Sequence, residues 1–534
     1  MAEPQWRVLV TDDVDPEGVA ELRACPDIEV EEHPTRPWTA WLDVIDRYDA
    51  AIGRSATPWP ALLLERATRL RALGRAGVGL DNIDLDAATR RGIAVLNAPG
   101  SNAVSVAELA FGLLLALVRR LPEAVASMRE GRWDRGRLGG TELRGRTMAI
   151  VGLGRIGSEM ARRAHAFGMS VVAYDPYVAD ARFAELGVER APTLTALLER
   201  AEVLTVHVPL TPETRGMIGA AELARLRPGV ILLNLARGEV VDEAALVDAL
   251  ERGRLAGAAL DVFATEPLPP DHPLRRLPNA LLTPHLGAST AEAQRRVAVE
   301  VCSAVREVLL HGDLIRAVNA AGLDGGAWRA LRPLLRLAER LGRLGAALLG
   351  GGLSAVELRY AGPRDGVARP LLAASLQGAL AGVVAAPVNL INALAVAEER
   401  GIEAAWGQVA GRGDGGEEIE LRVEAGERAL RLGGALFGES HGRVVRIGAF
   451  RVDIAPRGTL LVLRNRDVPG VIGRVGTLLG QAGVNIAEYH QARLQAGGDA
   501  LAAISVDSRV PADVLAALAG LPEVQDVVQV AMEE

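Results

Sequence analysis

No lysine occurs among the 534 residues, so all 59 basic side chains are arginines. That absence excludes a lysine Schiff base to a substrate or to pyridoxal phosphate, and any phosphate loop that needs its lysine. Cysteine is nearly as scarce. Cys25 and Cys302 lie far apart without ligand spacing, which excludes a disulfide framework, gives no metal site, and suits a reducing cytoplasm. A basic excess is missing too: the net charge is -8, so no nucleic-acid partner is expected. The start, Met1-Ala2-Glu3-Pro4, lacks a basic segment followed by an apolar run, so no secretory signal is expected. One uncharged stretch, 371–397, is long enough to span a bilayer. It is rich in Ala and Gly and carries Gln377, Pro387, Asn389 and Asn392, so it reads as a buried helix with a break, not a membrane segment.

What is present is alternation. A length of 534 residues implies about three or four domains. Short apolar strands at 7–11, 28–31, 50–53, 71–75 and 94–97 alternate with helical patterns at 16–24 and 85–91, a small α/β layer. A long apolar helical region, 103–128, is expected to break near Pro122 and to lead into the arginine-rich loop 129–137. From Thr147 to Thr283 strands and helices alternate as in a doubly wound parallel sheet, and a helix at 290–311 can return the chain to the first layer. The segment 319–452 mixes helices with strands at 355–360, 417–423 and 443–447. The last piece reads strand, helix, strand, strand, helix, strand, a ferredoxin-like order.

Chemistry concentrates in the central stretch. Gly152-Leu153-Gly154-Arg155-Ile156-Gly157 follows the strand Met148-Ala149-Ile150-Val151 and opens a helix, where free amides and the helix dipole meet a pyrophosphate. Asp175 ends the next strand, placed to bond both ribose hydroxyls and repel a 2′-phosphate, which favours NAD over NADP. Arg237, Glu266 and His285 each follow a strand end: a guanidinium to capture a carboxylate, an imidazole to move a proton, and a carboxylate to orient it. Their common placement at the carboxyl edge of one sheet describes hydride transfer on a 2-hydroxy or 2-oxo acid.

The blocks Gly74-Arg75-Ala76-Gly77-Val78-Gly79-Leu80-Asp81-Asn82, Val151 to Gly157, Ala236-Arg237-Gly238, Leu260-Asp261-Val262-Phe263 and Pro284-His285-Leu286-Gly287-Ala288-Ser289-Thr290 resemble the D-isomer-specific 2-hydroxyacid dehydrogenase family, in particular its long phosphoglycerate dehydrogenase branch. The resemblance runs over the whole chain. It implies a Rossmann-like NAD domain, 99–287, inserted in a smaller flavodoxin-like α/β substrate domain, 1–98 and 288–318. An α+β intervening domain, 319–452, and a ferredoxin-like ACT regulatory domain, 453–534, then follow.

The resemblance also implies roles. Arg237, Glu266 and His285 are then the catalytic set. Gly152, Gly154, Arg155, Ile156, Gly157, Asp175, His207, Pro209, Thr211, Ala236, Asp261 and Gly287 contact the cofactor. Arg54, Ser55, Thr57, Val78, Gly79, Asn102 and Arg135 contact substrate, Arg135 reaching a neighbouring subunit's site or lying in a solvated basic loop. Pro58-Trp59 and Leu109 depart from the family's usual residues near that pocket. Asn465, Asp467 and Asn485 would hold an amino-acid effector, L-serine, between two ACT domains of a homodimer or homotetramer; a dimerisation module that has lost its ligand is the alternative. The reaction so implied is oxidation of 3-phospho-D-glycerate. Two alternatives stay open: another 2-hydroxy acid such as 2-hydroxyglutarate, and a nucleotide-sensing, corepressor-like binding protein of the same fold.

Overall fold

The computed structural model describes residues 4–34, 36–314, 316–320, 328–381, 388–409, 416–438 and 440–532. The first sheet is built from short apolar strands and helices: β1 (Trp6–Val10), α1 (Pro16–Arg23), β2 (Ile28–Glu32), β3 (Ala50–Gly53), α2 (Ala61–Arg66), β4 (Ala72–Arg75), α3 (Leu85–Arg90) and β5 (Ala94–Leu96). Asp15 and Asp84 accept the amides of Glu17 and Ala87, satisfying donors that a helix start leaves free. Every pairing is parallel, in the flavodoxin-like order β2-β1-β3-β4-β5.

The chain leaves this sheet through α4 (Ala103–Val118) and α5 (Leu121–Arg129). The two helices part at Arg120, which adopts φ 51. Pro122 sits in the first turn of α5, where its missing N–H removes no helical bond. The second sheet comprises β6 (Thr147–Val151), α6 (Arg155–Ala166), β7 (Ser170–Tyr174), α7 (Asp180–Leu186), β8 (Glu189–Arg190), α8 (Leu194–Leu198), β9 (Val203–Val206), α9 (Ala220–Arg225), β10 (Val230–Asn234), α10 (Glu243–Glu251), β11 (Leu255–Leu260) and β12 (Ala280–Leu282). Its order, β12-β11-β10-β9-β6-β7-β8, is Rossmann-like and parallel throughout. Then α11 (Ala291–His311), capped by Thr290, sends Val297, Val301 and Val305 back into the core of the first sheet. Two crossings therefore join the sheets and bring their carboxyl ends together, where Asp81 meets Arg237.

The rest of the chain forms α12 (Trp328–Leu349), β13 (Ala355–Ala361), α13 (Ala368–Leu380), α14 (Ala393–Glu399), β14 (Glu403–Val409), β15 (Glu417–Ala425), β16 (Arg428–Phe437), β17 (His441–Ile447) and β18 (Phe450–Ile454). These are followed by β19 (Gly458–Arg466), α15 (Val471–Gln481), β20 (Ile486–Arg493), β21 (Asp499–Val506), α16 (Ala512–Ala519) and β22 (Val524–Met532). The third sheet, β14-β13-β15-β16-β17-β18, is antiparallel except for the parallel pair β13/β14. The fourth, β20-β21-β19-β22, is antiparallel and ferredoxin-like. Side chains of α12 (Leu334, Leu341) share one core with Leu421 of the third sheet and with Leu460, Leu501 and Val530 of the fourth. The uncharged run 371–397 supplies α13 and α14; the break expected at Pro387 lies outside the described residues. No helix among the described residues is long and apolar enough to cross a membrane.

Candidate active site

The glycine turn joins β6 to α6. Gly152 adopts φ 92, and a Cβ on Gly157 would collide with the Gly152 carbonyl. A Cβ on Gly154, in contrast, would meet nothing within 4 Å, and no side chain caps the first amides of α6. The turn is thus closed on its protein side and open outward, the shape and polarity that a dinucleotide pyrophosphate requires. Asp175, just past β7, accepts the Leu153 and Tyr177 amides at 2.9 and 3.0 Å, which fixes its carboxylate beside the turn. Arg155 donates to the Pro99 carbonyl on the crossing, while Ile156 packs on the sheet core. Past β9, His207 Nε2 lies 2.8 Å from the Thr205 hydroxyl and its buried Nδ1 has no partner. Burial pushes its pKa down to about 3, so this ring is neutral. Thr214 closes the next turn by donating to the Pro209 carbonyl at 2.6 Å and accepting the Thr211 amide at 2.8 Å.

Three strand ends supply the candidate reactive groups. After β10, Asn234 donates to the Arg237 carbonyl at 2.9 Å and accepts the Ala236 amide at 3.1 Å, so the loop that carries Arg237 is tied to its own strand. Arg237 donates through Nε to Asp81 at 3.0 Å and lies against Gly79, where a Cβ would collide with its Nη2. After β11, Glu266 accepts the Phe263 amide through Oε1 at 3.0 Å and pairs through Oε2 with His285 Nδ1 at 2.8 Å. Burial pushes the Glu266 carboxyl up, but the His285 ring and the Phe263 amide outweigh it and leave the group below its usual range. The hydrogen bond to Glu266 raises His285 above its ordinary value, against the opposing effect of burial. His285 Nε2 makes no hydrogen bond among the described residues.

His285 itself stands at φ 53, a conformation that costs a non-glycine residue about 1–2 kcal/mol. Buried Asp261 offsets that strain. Its carboxylate accepts the Thr283 hydroxyl at 2.5 Å and the Leu286 and Gly287 amides at 2.8 Å each, holding the chain on both sides of the histidine. Asp261 and Gly287, expected to touch the cofactor, are therefore bonded to each other in this loop.

The anion side lies across the cleft. Asp12, buried after β1, accepts the Arg54 amide and takes the Thr57 hydroxyl at 2.6 Å. Thr57 thus points inward as a support, while Arg54 donates to the Asp13 carbonyl at 3.2 Å and Ser55 is exposed. Asn82 clamps the same loop, donating to the Arg54 and Thr57 carbonyls at 2.8 and 2.7 Å. Trp59, one of the departures from the family pattern, is buried beneath the loop, and Leu109 packs on the second sheet's core. Val78 is held by Asn97 through its carbonyl at 2.7 Å, and Asn102 precedes α4 without capping it. Arg135 lies in the exposed turn 135–137, and no hydrogen bond or ion pair among the described residues ties it to the cleft.

Four cleft residues escaped sequence reasoning in their roles. Asp12, Asn82 and Asp261 hold loops. Arg75, at the end of β4, is pressed against Gly77 with its Nε buried and unbonded. Burial, aided by repulsion from Arg237, pushes its pKa down to about 10. A cation so placed, with Arg54 and Arg237 nearby, makes the cleft a receptor for anions. The signal available was the Arg in Gly74-Arg75-Ala76, a charged residue closing an apolar strand.

In the fourth sheet, Asn465 is buried and its carbonyl oxygen lies 3.3 Å from Gln491 Nε2. Asp467 takes Arg493 at 3.1 Å and the Gly497 amide at 3.2 Å, and Asn485 donates to Asp507 at 2.7 Å.

Known proteins resemble this chain. Residues 111–287 match the family described as D-isomer specific 2-hydroxyacid dehydrogenase, NAD binding domain, so the class is that of NAD-binding 2-hydroxyacid dehydrogenases. Residues 330–448 match the D-3-phosphoglycerate dehydrogenase intervening domain, and 459–523 the ACT domain. The D-3-phosphoglycerate dehydrogenase of Methanocaldococcus jannaschii is 38% identical over 98% of this chain and 99% of its own, and that of Mycobacterium tuberculosis 41% identical over 96% of each. The chain belongs to the D-3-phosphoglycerate dehydrogenase family. Among solved structures, a D-lactate dehydrogenase from Aquifex aeolicus complexed with NAD and lactic acid aligns with a TM-score of 0.51 at 29% identity, over 58% of this chain and 97% of that one.

Proposed function

We propose that the chain oxidises 3-phospho-D-glycerate to 3-phosphohydroxypyruvate with NAD, the entry step of L-serine synthesis. The observation that carries this reading is the His285–Glu266 pair standing beside Arg237 in a cleft where Arg54 and Arg75 add two further guanidinium groups. NAD, when bound, accepts the hydride. Arg237 and the Gly77 to Gly79 backbone hold the substrate carboxylate, and Arg54, Ser55 and Arg75 hold the phosphate, with Thr57 bracing their loop. Asn102 and Arg135 complete the pocket, the latter in a neighbouring subunit. His285 Nε2 removes the proton of the C2 hydroxyl as the C2 hydrogen leaves with its electron pair, and Glu266 stabilises the imidazolium that forms. The C2–O bond gains double-bond character and the ketone results.

In this reading, residues 1–98 with 288–318 bind substrate and 99–287 bind NAD. Within the latter, the 152–157 turn takes the pyrophosphate, Asp175 the ribose, and the 207–211, 236 and 261–287 loops the nicotinamide side. Residues 319–452 form the intervening domain. Residues 453–534 sense L-serine between two copies in a homodimer or homotetramer, through Asn465, Asp467 and Asn485. Two free thiols, Cys25 and Cys302, suit a cytoplasmic setting. The test is NADH production across a panel of 2-hydroxy acids, with and without L-serine. Highest kcat/KM on 3-phospho-D-glycerate is expected; a higher value on 2-hydroxyglutarate or lactate would overturn the substrate assignment.

A further inference from the structure

The segment between α13 and α14 carries a feature that the catalytic reading leaves unused. Asn389 donates through Nδ2 to the Gly92 carbonyl at 2.8 Å, and Asn392 Nδ2 stands 3.4 Å from the Arg90 carbonyl, across 297 and 302 positions of sequence. Gly92 adopts φ 70, and a Cβ there would stand 2.6 Å from Asn389 Nδ2 and 3.0 Å from Asn392 Nδ2, so the approach is as close as glycine permits. Asn389 Oδ1 accepts the Ile391 amide at 2.9 Å, which stiffens the turn. Adjacent side chains then face two cores. Leu390 packs on the core of α12 and the third sheet, while Ile391 is buried in the core of the first sheet.

The receiving element is the turn that closes α3: the Ala87, Ala88 and Thr89 carbonyls accept the Arg91, Ile93 and Gly92 amides, and the Arg90 and Gly92 carbonyls are the ones the asparagines meet. Asn319 adds two contacts there, donating to the Ile93 carbonyl at 2.9 Å and to the Thr89 hydroxyl at 3.1 Å. At its near end α3 continues from the substrate-side turn. The Asp84 amide donates to the Trp59 carbonyl at 3.0 Å, Asn82 clamps the Arg54–Thr57 loop, and Asp81 bonds Arg237. With six residues, α3 is only about 9 Å long. A displacement of its last turn is therefore carried to Asp81 and Asn82, because a helix this short has no room to absorb it by bending.

We infer that the Asn389–Asn392 turn is a positioning joint, through which the carboxyl-terminal half of the chain sets the substrate-side loops by way of α3. The inference rests on the substrate assignment proposed above. It implies that the joint acts on substrate affinity and leaves the proton-transfer pair untouched, since β11 and the 261–287 loop make no part of the path.

The test is the full-length double variant Asn389→Ala/Asn392→Ala, with the single variant Asn389→Asp, which keeps the size and loses the donor, as the milder form. Two measurements are made on each. The KM for 3-phospho-D-glycerate should rise about 10-fold with kcat and the KM for NAD within about twofold, the scale of one or two lost hydrogen bonds. Amide hydrogen exchange should accelerate in residues 77–92 and stay unchanged in 147–174. An unchanged KM together with unchanged exchange at 77–92 would reduce the joint to a tether and overturn the inference. So would accelerated exchange with KM and kcat unaltered. Should the parent protein not oxidise 3-phospho-D-glycerate at all, the substrate assignment falls, while the exchange measurement still decides whether the joint reaches the loops.

Discussion

The catalytic cleft and the rim of the fourth sheet both gather polar side chains, but they spend them differently. In the cleft, partners come from distant segments and leave a reactive face free: Asp261 holds 283–287, Asp12 and Asn82 hold 54–57, and His285 keeps Nε2 unengaged. In the rim, the candidate groups are already taken up by neighbouring side chains, Asp467 by Arg493 and Asn485 by Asp507. A preorganised site loses little on binding. A self-satisfied one must exchange bonds already made, so its ligand gains only the difference. The cleft thus stands preorganised, whereas a ligand at the rim has to displace bonds already made.

The strongest way to break the contrast is to remove the free face. His285→Ala should lower kcat by about 10²–10⁴-fold while NAD binding, read by fluorescence titration, is kept. Near-full turnover would place the general base elsewhere. Next comes its orienting partner. Glu266→Gln should lower kcat by about 10–100-fold, the worth of a charge-assisted bond. The sign of its pH effect is also determined. Glu266 raises the His285 pKa, and oxidation needs the ring neutral, so kcat/KM of the parent falls as pH drops through a value above the ordinary histidine range. Without the Glu266 charge that acid limb should move to lower pH. A limb that moves upward or stays would deny the pair its role. A smaller effect is expected at the cofactor: Asp175→Ala should relax the preference for NAD over NADP by about tenfold, measured as the ratio of the two kcat/KM values.

The candidate reactive groups were legible because each follows an apolar strand in a repeating strand–helix series, and the period itself marks the sheet edge. Arg237, Glu266 and His285 were found this way. Asp12, Asn82 and the holding role of Asp261 were not, because a side chain that braces a loop across 22 to 45 positions leaves no local pattern. The same limit applied to the fold. The two parallel sheets were readable from alternation, whereas β16 is missing from the strands read at 355–360, 417–423 and 443–447, and it carries Gly433 and Gly434. In the structure they are strand residues made small by crowding: a Cβ on Gly434 would come within 2.8 Å of Leu341, and one on Gly433 within 3.0 Å of Arg446. Strand β14 is mixed in character and takes its partner, β13, from 48 positions away, whereas β18 is a five-residue strand in a tight hairpin with β17.

The smallest effect tests the rim itself. Asp467 is held below the usual carboxylate range by Arg493 and the Gly497 amide, so at neutral pH it is a charged acceptor with its donors already in place. An effector's ammonium group would have to share that carboxylate with Arg493, and the exchange yields a net gain well below that of a fresh ion pair in open solvent. Asp467→Asn should therefore shift the L-serine concentration for half-inhibition by only about three- to tenfold, with kcat in the absence of serine unchanged. Arg493→Ala sharpens the point, because it frees the carboxylate: it should move the half-inhibition concentration down. If both substitutions raise it equally, Arg493 belongs to the ligand's contacts, and the rim is preorganised in the same sense as the cleft.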